Sequence, residues 1–334
     1  MKSNRNNISR RRAALQLTHG VLALVAAGSG KVALAQADRP VKVIMPGSAG
    51  SGGSNTMRAA AHAFSKALGI PVVVEDVPGA GGIVGTQAVV RAAPDGYTLS
   101  MVSNNHVIYP SVYKSVPFDP IADVTPISVI GTTPIVMLVN PTKMPVKSSQ
   151  EMVALIKANP GKFNYGSAGN GTILHLAGAM FLEEAGNLKA THVPYKGTGP
   201  MLTDLLGGQL DFATSTLPAA RQHIQNGTLR AIGVAANVRQ AAAMEIPTFV
   251  EQGIPGYIIE VWYAVLGPAK MSAANVSRIH GALVTAFAAT DVKEAMAKQG
   301  NMINISTPEY ASKYFLTETI KYAKLVKLAG VEVQ

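Results

Sequence analysis

The chain has 334 residues, enough for two domains of ordinary size, and no cysteine, which excludes a disulfide framework, a thiolate nucleophile and a lipid-modified N-terminal cysteine. Lys and Arg outnumber Asp and Glu by 29 to 19, a formal net charge of +10. No basic run with interleaved aromatics occurs, so nucleic acid is a poor partner, and the seven histidines are scattered without metal-ligand spacing, so no metal or other cofactor is expected.

Much of the positive charge lies at the start. Residues 1–37 carry Lys2, Arg5, Arg10, Arg11, Arg12 and Lys31 and no acid. The apolar run 21–27 follows, then the small-residue sites Ala33-Leu-Ala35 and Ala35-Gln-Ala37. This is the pattern of a secretory signal cleaved near Ala35 or Ala37, and its apolar run is too short to span a bilayer. Ser9-Arg-Arg-Arg12 fits a twin-arginine signal, with the general export route equally open. Without this segment 23 basic residues stand against 19 acidic ones, a balance of +4 that favours anionic ligands only weakly. The expected mature protein lies outside the inner membrane with no stable membrane insertion.

From Arg39 onward, strands and helices alternate. Residues 41–45 read as a buried strand, 46–54 as a Gly/Ser loop and 55–68 as a helix ending at Gly69. A strand over 72–77, the loop Pro78-Gly-Ala-Gly-Gly82 and a helix towards Ala93 come next. The strand 98–102 ends at the polar cluster Ser103-Asn104-Asn105-His106. Residues 127–139 form a long apolar, β-branched stretch, followed by a helix over 150–158. Phe163 to Tyr165 read as a strand end, 166–171 as a small-residue loop and 172–185 as a helix capped by Asn170 or Thr172. A glycine-lined loop entering a helix presents backbone N–H groups to an anion; an ordinary turn is the alternative. Strands at 191–194, 209–214 and 229–235 alternate with helices at 201–206 and 219–225. A second long apolar stretch covers 258–266, and 275–299 and 308–328 read as terminal helices. The alternation predicts parallel sheet covered on both faces, with the two long stretches crossing between two lobes.

Catalytic patterns fail in turn. Tyr165-Gly-Ser167-Ala-Gly169 lacks the first glycine of a nucleophile elbow, so a secreted serine hydrolase using Ser167 is the weaker alternative. Ser111-Val-Tyr-Lys114 has no companion motifs, and Gly79-Ala-Gly81-Gly-Ile-Val-Gly85 has the wrong spacing for a dinucleotide loop. Small polar loops at the carboxyl ends of strands remain, at 46–55, 103–106, 167–172 and 214–218. In open α/β sheets ligands sit there, so binding without catalysis is the expectation.

Five segments stand in one order: Pro78-Gly-Ala-Gly-Gly82, Ala93-Pro-Asp-Gly-Tyr97, Ser167-Ala-Gly-Asn-Gly171, His192-Val-Pro-Tyr-Lys-Gly197 and Leu205-Leu-Gly-Gly-Gln209. Together they resemble the substrate-binding proteins of tripartite tricarboxylate transporters, the Bug family, over nearly everything after the signal. The resemblance implies a two-lobed α/β periplasmic binding protein of the type II kind, each lobe a mostly parallel sheet flanked by helices. Lobe 1 would comprise 38–132 and 257–334, and lobe 2 residues 133–256. It also implies a monomer that closes on a small carboxylate and delivers it to a membrane permease, without catalysis or cofactor. A sensory module serving a membrane kinase is a third class left open.

Carried over from the family, Gly47, Ser48, Ala49, Ser51, Ser167, Ala168, Gly169 and Asn170 would grip one carboxylate. Ser54 stands where relatives carry aspartate, and Gly47 where they carry phenylalanine. In the later loop Thr214 replaces phenylalanine and Ser215 aspartate, which implies a roomier pocket without an acid for a ligand ammonium. Arg221 is the expected partner of a second, distal carboxylate, with a solvated helix surface as its alternative. Asn104 and His106 are expected as donors at the cleft mouth. The ligand so implied is an elongated dicarboxylate, terephthalate being its sharpest form and malate or citrate the runner-up.

Overall fold

The computed structural model describes residues 39–334 except 329, 332 and 334; the expected export signal lies outside the described residues. Strand β1 (Val41–Met45) pairs in parallel with β2 (Val72–Asp76) and β3 (Thr98–Ser103). Its Val41 and Val43 are fully buried, as a strand covered on both faces requires. Helices α1 (Gly52–Leu68) and α2 (Ile83–Val90) make the crossovers. α1 begins three residues before the expected start. Ser51 is extended (φ −65°, ψ 155°) and its hydroxyl accepts from Ser54 N at 3.4 Å, so the glycines after it are already helical.

After β3 comes α3 (Asn105–Val112), a helix that starts within the polar cluster 103–106 and is not among the expected elements. Pro110 inside it hid the helix, since proline removes a helical hydrogen bond and normally marks a break. Then β4 (Val124–Val139) and α4 (Ser149–Ala158) lead into β5 (Asn164–Ser167) and α5 (Ile173–Glu184). β6 (Thr191–Pro194), α6 (Thr198–Leu206), β7 (Phe212–Thr216), α7 (Leu217–Gln225) and β8 (Arg230–Val234) continue the alternation. The chain ends with β9 (Glu260–Pro268), α8 (Ala273–Ala288), α9 (Thr290–Gln299), β10 (Met302–Ile303) and α10 (Pro308–Leu328). The single helix expected over 275–299 is broken at Ala289, whose backbone is extended (φ −61°, ψ 140°); no Gly or Pro marks the break.

The sheet order is β2-β1-β3-β9-β4-β7-β5-β6, with β8 and β10 also pairing to β4. β2-β1-β3 and β7-β5-β6 are parallel groups. The antiparallel pair β4 and β9 joins them, β9 to β3 on one side and β4 to β7 on the other. This is an α/β fold with a mixed sheet.

Two residues expected in a cleft belong to this core. Asn104 is fully buried: its Oδ1 accepts from Trp262 N at 3.0 Å, and its Nδ2 donates to the Glu260 carbonyl at 3.2 Å and to the Tyr322 hydroxyl. It ties the end of β3 to β9 and α10. His106 is likewise fully buried, stacked on Phe118, with Nε2 donating to the Pro120 carbonyl at 2.6 Å. Their polarity satisfies backbone groups at a strand end.

β4 is bent by register shifts, one of them between Val129 and Gly131. There β10 crosses so closely that a Cβ on Gly131 (φ +149°) would lie 2.9 Å from Ile303 Cα and 3.0 Å from the Met302 carbonyl carbon. Gly131→Ala should therefore cost ~2–4 kcal/mol through backbone strain and displacement of β10. Chemical denaturation would reveal it as a lowered midpoint at unchanged slope; a change within ~0.5 kcal/mol would mean that β10 yields freely.

Candidate ligand-binding site

A cavity with about 770 Å³ of empty space, its open mouth included, lies at the carboxyl ends of the parallel strands. Each parallel crossover supplies a wall. The β1–α1 connection gives Gly47, Ser48 and Ser51, and the first turn of α1 gives Gly52 and Gly53. The β2–α2 loop gives Gly79, Gly81 and Gly82, and the end of β3 gives Ser103 and Asn105. From the other parallel group come Ala168, Thr172, Leu174, Lys196, Thr198 and Thr216, and β9 adds Tyr263.

Several helices begin at this cavity, among them α1, α5 and α6. In the first turn of each, N–H groups have no intrahelical acceptor. Those of Gly52 and Gly53 in α1, Leu174 in α5 and Thr198 in α6 make no hydrogen bond among the described residues. Thr172 caps α5, its hydroxyl accepting from His175 N at 3.3 Å, so of the two expected caps it is Thr172 that serves. Among the described residues, Lys196 is the one cationic side chain on the wall, and no Asp or Glu lines it. Converging helix starts, one ammonium and no carboxylate make an anion-binding environment.

Cross-cavity hydrogen bonds hold these walls together. Asn105 donates through Nδ2 to the Gly81 carbonyl (3.2 Å) and accepts through Oδ1 from Ile173 N (2.7 Å). The Tyr113 hydroxyl donates to the Asn170 carbonyl at 2.8 Å. Ser48 Oγ accepts from Gly199 N at 3.2 Å and packs directly against Gly197.

Of the residues expected from the sequence, Gly47, Ser48, Ser51 and Ala168 line the cavity. Ala49 is exposed beside it. Ser54 is turned away because its hydroxyl accepts from Arg58 Nε (3.2 Å), and Arg58 in turn pairs with Asp76. Ser167 is fully buried, its Oγ 2.7 Å from His192 Nε2 and bonded to the backbone of Gly169. Gly169 supports the Thr172 cap and faces the Tyr195 carbonyl, and Asn170, whose carbonyl accepts from the Tyr113 hydroxyl, is not among the lining residues. Thr214 and Ser215 are also fully buried, the one donating to the Leu174 carbonyl (2.6 Å), the other to the Thr216 carbonyl (3.4 Å). Arg221 sits half-exposed on α7 and is not among the lining residues. Neither Asn104 nor His106 reaches the wall. Sequence reading missed Gly52, Gly53, Lys196, Thr216 and Tyr263. Lys196 lies inside the His192–Gly197 segment and Thr216 beside Ser215, whereas nothing local marks Tyr263.

The loop behind Ala168 rests on two stacked imidazoles, His175 and His192, with ring centroids 3.7 Å apart. His175 Nδ1 accepts from Gly171 N at 3.1 Å, which requires that nitrogen to be unprotonated. Burial lowers His175 to about 4; His192 falls to about 3 through burial and the neighbouring His175.

A family model described as the tripartite tricarboxylate transporter family receptor matches residues 56–330. The chain belongs to this family. BugT of Bordetella pertussis is 31% identical over 320 residues, 94% of this chain and 98% of BugT. The solved periplasmic binding protein BugD superposes with a TM-score of 0.85 at 30% identity, covering 89% of this chain and 99% of BugD. The Rhodopseudomonas palustris protein Rpa4515, solved with adipate, gives a TM-score of 0.85 at 25% identity over 89% of this chain and 99% of that one. The expected family and the periplasmic-binding-protein fold are thus borne out, and this chain is a receptor of that family. Among the described residues no helix is long and apolar enough to cross a membrane.

Protons should act on this receptor through its buried histidines. Burial also lowers His106 to about 4. Unfolding returns each imidazole to near 6.5, so between pH 6.5 and about 4 the unfolded chain binds more protons than the folded one. Stability should therefore be full above pH 6.5 and fall as pH drops through that window. Calorimetric melting from pH 7.5 to 4.5 should show a falling Tm and net proton uptake on unfolding; a flat profile would mean that these histidines titrate normally in the fold.

Proposed function

We propose that this receptor captures a small, elongated dicarboxylate and presents it, as a monomer, to the membrane permease of a tripartite transporter. The observation that carries the reading is the convergence of three helix starts and Lys196 on a cavity without a lining acid. The adipate in a relative of similar fold supports a ligand with two carboxylates. The aromatic form of the expectation has lost most of its support: of Gly47, Thr214, Ser215 and Arg221, Gly47 alone lines the cavity. Location outside the inner membrane rests on the N-terminal sequence pattern and the family.

We read the molecule as two lobes, 38–132 with 257–334 and 133–256, that move about β4 and β9. The Ser48–Gly199, Asn105–Ile173 and Tyr113–Asn170 hydrogen bonds join residues of one to residues of the other, as in a closed state. The chain acts by binding and not by turnover. Ser167 and His192 do have the spacing of a nucleophile and base, but the serine is buried away from the cavity wall and its partner is stacked on a second histidine.

Isothermal titration against adipate, malate, citrate, terephthalate, benzoate and glutamate tests this. A dicarboxylate should bind tightest and be recovered unchanged, with glutamate weak for want of an acid to meet its ammonium. Benzoate equal to terephthalate would remove the second grip, and tightest binding of glutamate would overturn the anion reading. Turnover abolished by Ser167→Ala would establish the hydrolase instead.

A further inference from the structure

The inner wall of the cavity holds two buried hydroxyls, those of Thr216 and Tyr263, that meet each other. Thr216 is only 5% exposed, and among the described residues its Oγ1 meets no polar partner except the Tyr263 hydroxyl. The preceding side chains of β7, Thr214 and Ser215, are both engaged with backbone carbonyls. Tyr263 is 6% exposed and reaches the same point from β9. Both converge on Gly52: a Cβ there would sit 2.6 Å from the Tyr263 hydroxyl and closer still to Thr216 Oγ1. Beside them the first turn of α1 presents the N–H groups of Gly52 and Gly53, which make no hydrogen bond among the described residues.

Two buried hydroxyls with only each other as partners share one hydrogen bond and leave the second proton unsatisfied, a desolvation cost that a ligand in the cavity can remove. The chemistry of that ligand follows from the donor inventory. Backbone N–H groups only donate, whereas hydroxyls donate or accept. A group with donors of its own would confront the two N–H groups and the positive end of α1. A group that only accepts satisfies both N–H groups and the hydroxyl pair at once.

We infer that Thr216, Tyr263 and the first turn of α1 form the subsite for one carboxylate end of the ligand, the two N–H groups requiring an acceptor there and the hydroxyl pair donating to it. This rests on the receptor reading above and assigns one end of its ligand. Gly52 is part of the subsite because any side chain would fill the space in which the hydroxyls meet that group.

The test uses the full mature receptor and whichever of adipate, malate, citrate and terephthalate the wild type binds tightest. Thr216→Val keeps the shape and removes the hydroxyl, and Tyr263→Phe does the same across the subsite. Each should weaken binding ~10-fold or more, while Thr216→Ser stays within ~3-fold of wild type. Replacing one carboxylate of the probe by a primary amide should cost the wild type a similar factor. Melting curves identify any variant that fails to fold, and Thr216→Ser with Tyr263→Phe then decides the matter. Wild-type affinity in both Thr216→Val and Tyr263→Phe would overturn this subsite while leaving the receptor reading intact. A wild type that binds none of the four probes would overturn both.

Discussion

Helix starts cannot satisfy their own first N–H groups, and here three of those starts are turned inward onto one cavity. The parallel strands dictate this. A β–α crossover leaves the strand at its carboxyl end, so the helix after β1, β5 or β6 must begin on the same edge of the sheet. The antiparallel pair β4 and β9 brings the two parallel groups together with those edges adjacent. Anion affinity is thus a consequence of topology before any side chain is chosen, and Lys196 adds charge to a field already present.

Side chains then decide which N–H groups stay available. Ile173 N is taken by Asn105, His175 N by Thr172 and Gly199 N by Ser48, whereas Gly52, Gly53, Leu174 and Thr198 keep theirs. The hydrogen bonds that cross the cavity therefore also shape it, leaving donors only where a ligand can reach. The neutral His175–His192 stack does related work from behind: by accepting from Gly171 N it holds the loop that carries Ala168.

The fold was largely legible in the sequence because hydrophobic periodicity and glycine-marked turns report local structure directly. β6 and α10 agree with their expected limits, and the long apolar stretches 127–139 and 258–266 do lie in the joining strands β4 and β9. The errors fell where a local cue had a competing cause. The helix α3 carries Pro110 within it and is not among the expected elements, and the break at Ala289 carries no cue at all. The family resemblance pointed to loops that border the cavity, which Gly47, Ser48, Ser51 and Ala168 line, but it could not say which residue of each loop faces inward.

That last distinction is a matter of strand period and hydrogen-bond satisfaction. Along β7 successive side chains face opposite sides, so Thr214 and Thr216 share a side that Ser215 does not. Thr214 is covered by the Leu174 carbonyl at the start of α5, and only Thr216, one pleat further out, emerges at the wall. The same logic separates Asn105 from its neighbours: Asn104 and His106 are drawn inward to β9, α10 and Pro120, while Asn105 bridges the cavity. A polar residue at the carboxyl end of a strand meets two competing demands, the unpaired backbone of the strand end and the ligand beyond it. Composition cannot tell which demand a given residue meets, because an asparagine or threonine suits both. What separates them is whether packing already supplies a backbone partner: Thr214 has the Leu174 carbonyl, whereas Thr216 meets only the Tyr263 hydroxyl at the cavity wall.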